Sequence, residues 1–193
     1  MLSPRCAFLL CKSLNYDQKR GRRNKLKDNI LLETEFFSIK SPCKPHIPFK
    51  DGGHIFIEVN DPTISERTQL SKEAAIECVW LTMVAGRAFT DTLIDEGIPI
   101  YRLNYQDNGN WAFLRGETPR MHIHIYGRSR EEKSQQYGEA LYFPSPSNPC
   151  YATFKPIDST ILMKLTKKIT EVAESTEYSW FKPKVFKVSN MKN

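Results

Sequence analysis

Hydrophobic and polar positions follow different periods along the chain. From Asn29 to Ile39 short apolar runs flank Glu33 and Glu35, predicting one or two short strands with a turn between them. Residues 54–59, His-Ile-Phe-Ile-Glu-Val, read as a strand that Asn60-Asp61-Pro62 breaks. Over 71–96 the spacing becomes helical. Ser71 suits an N-cap, Glu73 sits in the first turn, and Ile76, Val79, Trp80, Met83 and Val84 form a single apolar stripe that continues through Phe89 and Leu93. Cys78 and Met83 belong with core packing. Gly97 and Pro99 mark the helix end, and Ile98 to Asn104 reads as the next strand. In residues 119–128, Pro-Arg-Met-His-Ile-His-Ile-Tyr-Gly-Arg, the two-residue period of a strand puts His122 and His124 on one face. Met121, Ile123 and Ile125 take the opposite, apolar face, and Gly127 offers an end to the strand. Asp158 or Ser159 begins a second helix over about 158–175, with Ile161, Leu162, Leu165, Ile169, Val172 and Ala173 apolar. Trp180 to Val188 reads as a short docked strand.

Three loops separate these elements. Residues 41–53 hold Pro42, Pro45, Pro48, Gly52 and Gly53, a constrained connection. Tyr105 to Glu117 is rich in Asn, Asp and Gly, with Trp111 and Phe113 between them, and would lie beside the end of the histidine strand. Residues 144–149 contain three prolines.

The 193 residues, 40% hydrophobic and 26% charged, suffice for one domain with a core. The division expected is a basic arm over 1–28, a main unit over 29–143, and a loop, helix and tail over 144–193 packed on it. The formal net charge of +6 is concentrated at the start. Residues 1–27 carry eight basic residues against Asp17 alone, so the remainder is close to neutral. Residues 12–27 could hold nucleic acid, or form a solvated arm. Met1 to Leu14, basic and partly apolar without an acid, allows a mitochondrial leader, while the rest of the composition reads as cytoplasmic. No apolar run has the length of a transmembrane segment. Five scattered cysteines with no C-x-x-C pair read as free thiols.

Paired imidazoles permit two chemistries. A metal site would need His46, His54 or an acid such as Glu117 beside His122 and His124, and the cysteine spacing offers nothing further; the reading takes no metal and no cofactor. Covalent phosphoryl chemistry needs less. A neutral imidazole nitrogen attacks phosphorus, and the second ring, the neighbouring backbone N–H groups, Asn104, Asn108 and nearby arginines hold the spreading negative charge.

In these residues the chain resembles the histidine triad family of nucleotide hydrolases and transferases. The family pattern alternates histidine with apolar residues on the last strand of an antiparallel sheet. The likeness runs over about 29–130 and includes Gly53-His-Ile-Phe-Ile-Glu-Val59, Leu70-Ser-Lys-Glu-Ala-Ala, Gln106-Asp-Asn-Gly109, Gly116-Glu-Thr and the histidine strand, in family order. It implies an α+β fold, an antiparallel sheet of about five strands with the long helix and a second, C-terminal helix, and a homodimer with Trp80 of the long helix as a candidate contact. It implies a nucleotide substrate, such as a dinucleoside polyphosphate or a nucleoside phosphoramidate. His124-Ile-Tyr-Gly-Arg128 matches the spacing after the third triad histidine, which makes His122 the nucleophile and puts Arg120 at the first position. The other register makes His124 the nucleophile and Tyr126 the third member. Either way one triad position is not histidine. With His122 and His124 catalytic, the resemblance places Asn104, Asn108, Gly116, Glu117, Thr118, Arg120 and Arg128 at the substrate. Phe36, Phe37, Ile39 and Ile57 lie where a base-binding wall would be, and Trp111 could reach over the site. His54 resembles a structural histidine, and His46 falls in an insertion as an exposed residue. Two other readings stand beside this one: a nucleotide-binding protein that has lost turnover through Arg120, and a nucleic-acid protein that uses the basic arm.

Overall fold

The computed structural model describes residues 28–189, so the basic arm over 12–27 and the leader reading of Met1 to Leu14 fall outside the described residues. The apolar residues before position 42 form two strands, β1 (Asn29–Thr34) and β2 (Phe37–Ser41), turning at Glu35 and Phe36. The turn is tied down from a distance. Thr34 Oγ1 donates to Glu77 Oε1 at 2.5 Å, and the Phe36 N–H donates to the same oxygen at 3.1 Å. Burial pushes the Glu77 carboxyl up from its ordinary pKa.

Strand β3 (His54–Val59) pairs with β2 on one side and β5 (His122–Ser129) on the other. Strand β4 (Ile100–Gln106) lies outside β5, and β6 (Phe186–Val188) adds to β1. The sheet therefore runs β4-β5-β3-β2-β1-β6 with every pair antiparallel. The sixth strand is the short tail segment, and the α+β class holds.

One face of the sheet is covered by α1 (Lys72–Asp95) and α3 (Ser159–Glu174). Ile55, Ile57, Ile123 and Ile125 meet Leu81, Val84, Ala88 and Phe89 of α1 and Leu162, Leu165 and Ile169 of α3 there. Helix α1 starts as its sequence directs, with Ser71 Oγ accepting from the Ala74 N–H at 3.1 Å. It stops at Gly97, whose φ of +77° permits the closing bonds Gly97 N–H to Ile94 O and Ile98 N–H to Leu93 O, at 2.9 and 2.8 Å. The expected apolar stripe is split. Trp80 and Val84 are buried with Leu81, Ala85 and Phe89, whereas Ile76, Val79 and Met83 are exposed on another face. The 24-residue helix carries apolar residues on two sides, and only one can meet the sheet.

Gly127 does not end β5, which continues to Ser129. The glycine serves a close approach instead. A Cβ at Gly127 would stand 2.2 Å from the Gly52 carbonyl oxygen, and a Cβ at Gly52 would stand 2.2 Å from that of Gly127. The 41–53 loop can lie on β5 only because both residues lack a side chain. The 105–117 connection is shorter than expected, because β4 runs to Gln106 and a small helix α2 (Asn110–Leu114) occupies its middle.

Candidate active site

The opposite face of β3 and β5 carries the polar residues, since alternation that sends isoleucines to the core sends their neighbours outward. The register sets His54 across from Tyr126, Phe56 across from His124, and Glu58 across from His122. The two histidines of β5 share this face, with ring centroids 4.5 Å apart and nearly perpendicular planes.

Their hydrogen bonds distinguish them. His122 Nδ1 lies 2.6 Å from the Arg120 carbonyl oxygen. A carbonyl only accepts, so Nδ1 carries the proton and, in the neutral ring, Nε2 carries the lone pair. His124 has the reverse arrangement. The His46 backbone N–H donates to His54 Nδ1 at 3.2 Å, so His54 holds its proton on Nε2. That Nε2–H donates to His124 Nδ1 at 2.8 Å, leaving His124 with an Nε2–H. Burial holds the pKa of His54 and of His124 well below the ordinary histidine value, with neighbouring imidazoles adding to the effect. His46, its Nδ1 2.8 Å from the Tyr126 hydroxyl, is pushed down to about 4, first by burial and then by His122. Burial and the proximity of Tyr151 drive the Tyr126 hydroxyl upward.

His46, His54 and His124 bring ligand-type atoms within 4.8 Å of one another. Their bonding does not fit a metal ion. His54 uses one nitrogen to accept from the His46 N–H and the other to donate to His124, whose Nδ1 lone pair is thereby occupied. Metal binding at His54 Nε2 would force a proton onto Nδ1, against the backbone donor.

These rings form the floor of a cleft of about 590 Å³. Of the residues expected at the substrate, Asn108, Glu117, Thr118, Arg120, His122 and His124 line it. Asn104, Gly116 and Arg128 do not. Asn104 Oδ1 instead accepts from Arg128, whose buried guanidinium also pairs with Glu132 at 2.7 Å. Gly116 makes the turn after α2 at a φ of +66°. Arg120 turns its guanidinium onto the end of β3, donating to the Val59 and Asn60 carbonyls at 2.9 and 2.7 Å and approaching Glu58 at 3.3 Å. Glu58 is paired with Lys40 as well. Glu117 pairs with Arg115 at 2.7 Å. Phe37, Ile39 and Ile57 are core residues and Phe36 packs on the core, so none of the four forms the cleft wall; Phe56, Trp111, Leu141 and Phe143 do.

The sequence offered His46 only as a metal partner or as an exposed residue of an insertion. Its ring stacks on His54 at 4.7 Å, inside the cleft rather than on an exposed insertion. The available signal was a lone histidine between Pro45 and Pro48, in a loop whose backbone has few other conformations.

The likeness to solved structures shows the fold: the chain has the histidine triad fold. A histidine triad protein from Sinorhizobium meliloti superposes with a TM-score of 0.54 at 9% identity, over 79% of this chain and 95% of the other. One from Marinobacter aquaeolei gives 0.50 at 12% identity, over 76% and 91%. An uncharacterised protein gives 0.54 at 11% identity, over 86% and 89%. No protein-family model and no curated protein sequence matches the chain.

Proposed function

We propose that the protein is a nucleotidyl hydrolase or transferase acting on a phosphoanhydride or phosphoramidate bond, as in a dinucleoside polyphosphate or a nucleoside phosphoramidate. The observation that carries this reading is the opposed tautomers of the two histidines. His122 presents the lone pair of Nε2 while its Nδ1–H is held by the Arg120 carbonyl. His124 presents a proton. His122 Nε2 attacks the α-phosphorus, forming an N–P bond as the bond to the leaving group breaks; that group takes the electron pair and departs as a phosphate from an anhydride or, having taken a proton from solvent, as an amine from a phosphoramidate. The His124 Nε2–H donates to a non-bridging oxygen as charge accumulates. Water then attacks phosphorus and loses a proton to solvent, the N–P bond breaks with its electron pair returning to Nε2, and the mononucleotide leaves with the neutral ring restored. No step uses a cofactor. The same reading makes the protein a homodimer. No helix among the described residues is long and apolar enough to cross a membrane.

The test is incubation with a panel of dinucleoside polyphosphates and nucleoside phosphoramidates in the presence of chelator, followed by mass spectrometry. A nucleotidyl adduct on His122 is expected. An adduct on His124 would overturn the assignment, and the absence of product and adduct across the panel would overturn the activity.

A further inference from the structure

A nucleotide needs a planar apolar surface for its base as well as a nucleophile for its phosphorus. The residues that the family likeness suggested for that surface are spent in the core or packed against it. Two other rings border the cleft. Trp111 comes from α2 and lies 5.2 Å from the His46 ring. Phe143 comes from the segment after β5 and lies 5.3 Å from His46 and 5.1 Å from Tyr126. Both are half-buried, so each keeps surface that a ligand can cover.

The segment carrying Phe143 is held in place. Arg128 is 4% exposed, and its guanidinium donates to Glu132, to the Gln136 carbonyl at 2.8 Å and to the Glu139 carbonyl at 3.1 Å. Gln135 brackets the residue next to Phe143, accepting from the Tyr142 N–H and donating to the Tyr142 carbonyl, both at 2.9 Å. On the other side the Tyr151 hydroxyl donates to the Pro144 carbonyl at 3.1 Å. A loop restrained on both sides of one aromatic residue presents that ring in a fixed place, which lowers the cost of ordering it around a ligand.

We infer that Trp111 and Phe143 form the wall that takes the nucleobase, with Arg128 and Gln135 as positioning residues that set Phe143. This rests on the proposed nucleotide chemistry for the class of ligand. Stacking on aromatic rings tolerates any base, so the wall confers affinity for a nucleotide over its base-free counterpart rather than a strict choice among bases.

The test is calorimetric titration of the full chain with AMP and with ribose 5-phosphate. Wild type is expected to bind AMP about ten-fold or more tightly than ribose 5-phosphate. Phe143→Ala and Trp111→Leu should each remove most of that preference and leave ribose 5-phosphate binding unchanged. Gln135→Ala should reduce the preference less. Phe143→Leu, which keeps apolar volume but not the ring face, guards against loss of folding and should also lower the preference. Equal affinity for both ligands in wild type, binding of neither, or equal weakening of both in the variants overturns the inference. Base-dependent binding without any adduct on His122 would instead overturn the covalent chemistry and leave the wall standing.

Discussion

At His122 and His124 identical side chains two positions apart take opposite tautomers from their hydrogen-bond partners, and the proposed mechanism gives them different roles. His122 is tied to a carbonyl, and His124 accepts from His54. Removing each ring should therefore fail differently. His122→Ala is expected to lose adduct and turnover by about 10³-fold or more, because no other lone pair replaces Nε2. His124→Ala should still form the adduct, about 10²-fold more slowly, as expected for the loss of one charge-stabilising donor. Rapid-quench measurement of adduct formation separates the two, and indistinguishable losses would contradict the division of roles. The buried rings also predict a pH dependence of stability. His46 titrates at about 4 in the folded protein against an ordinary value of 6.5, so between these values the unfolded chain binds more protons. Stability is complete above about pH 6.5 and falls as the solution is acidified towards pH 4, by about 3 kcal/mol from His46 alone. The downward shifts of His54 and His124 act in the same direction. Urea melts across this range check it: His46→Gln should flatten the decline, and a stability independent of pH there would refute it.

At the scale of the element, strand β5 is placed by a contact that no periodicity reveals. The Gly52 and Gly127 backbones approach until neither tolerates a Cβ. Gly127→Ala is expected to destabilise the fold by about 2 kcal/mol or more, since the methyl group meets backbone oxygen that cannot rotate aside. A chemical denaturation midpoint equal to that of wild type would show that the loop yields instead. This contact also marks the limit of what the sequence makes legible. The strands around His54 and His124, the N-cap at Ser71, the end at Gly97 and the helix begun by Asp158 all follow local rules, and the structure keeps them. The shared face of His122 and His124 follows from the strand period alone. What was illegible depends on distant partners. Arg128 was expected at the substrate because of its place after the strand, yet its guanidinium is committed to Glu132 and the loop beyond. Arg120 lines the cleft, but spends donors on the carbonyls of Val59 and Asn60 at the end of β3, some sixty positions earlier. His46 reaches the cleft only because the Pro-rich loop folds over β5, a fact that belongs to the glycine contact and not to its own neighbours.

At the scale of the whole molecule, one side is left unfinished. Strand β4 lies at the edge of the sheet, paired to β5 alone, so its outer peptide groups have no strand partner among the described residues. Beside it, Ile76, Val79 and Met83 of α1 stand 41%, 57% and 43% exposed, with Tyr105 of β4 at 46%. Val79, Met83 and Tyr105 also border an apolar recess of about 370 Å³ with Leu70 and Ala75. Contiguous apolar surface next to an open sheet edge is what a second copy would cover, and a two-fold axis would set the same strand and helix face against themselves. The homodimer proposed above is thus expected to use this face rather than Trp80, which is 1% exposed and occupied in donating to the Tyr178 carbonyl at 2.8 Å. Val79→Glu with Met83→Glu would bring like charges together across such an axis and leave the monomer core untouched. Sedimentation equilibrium should then give a dimer for wild type and a monomer for the double variant, with little change in thermal midpoint extrapolated to low concentration. A wild-type monomer at every concentration would dispose of the assembly, and a double variant that stays dimeric would move the interface to another face.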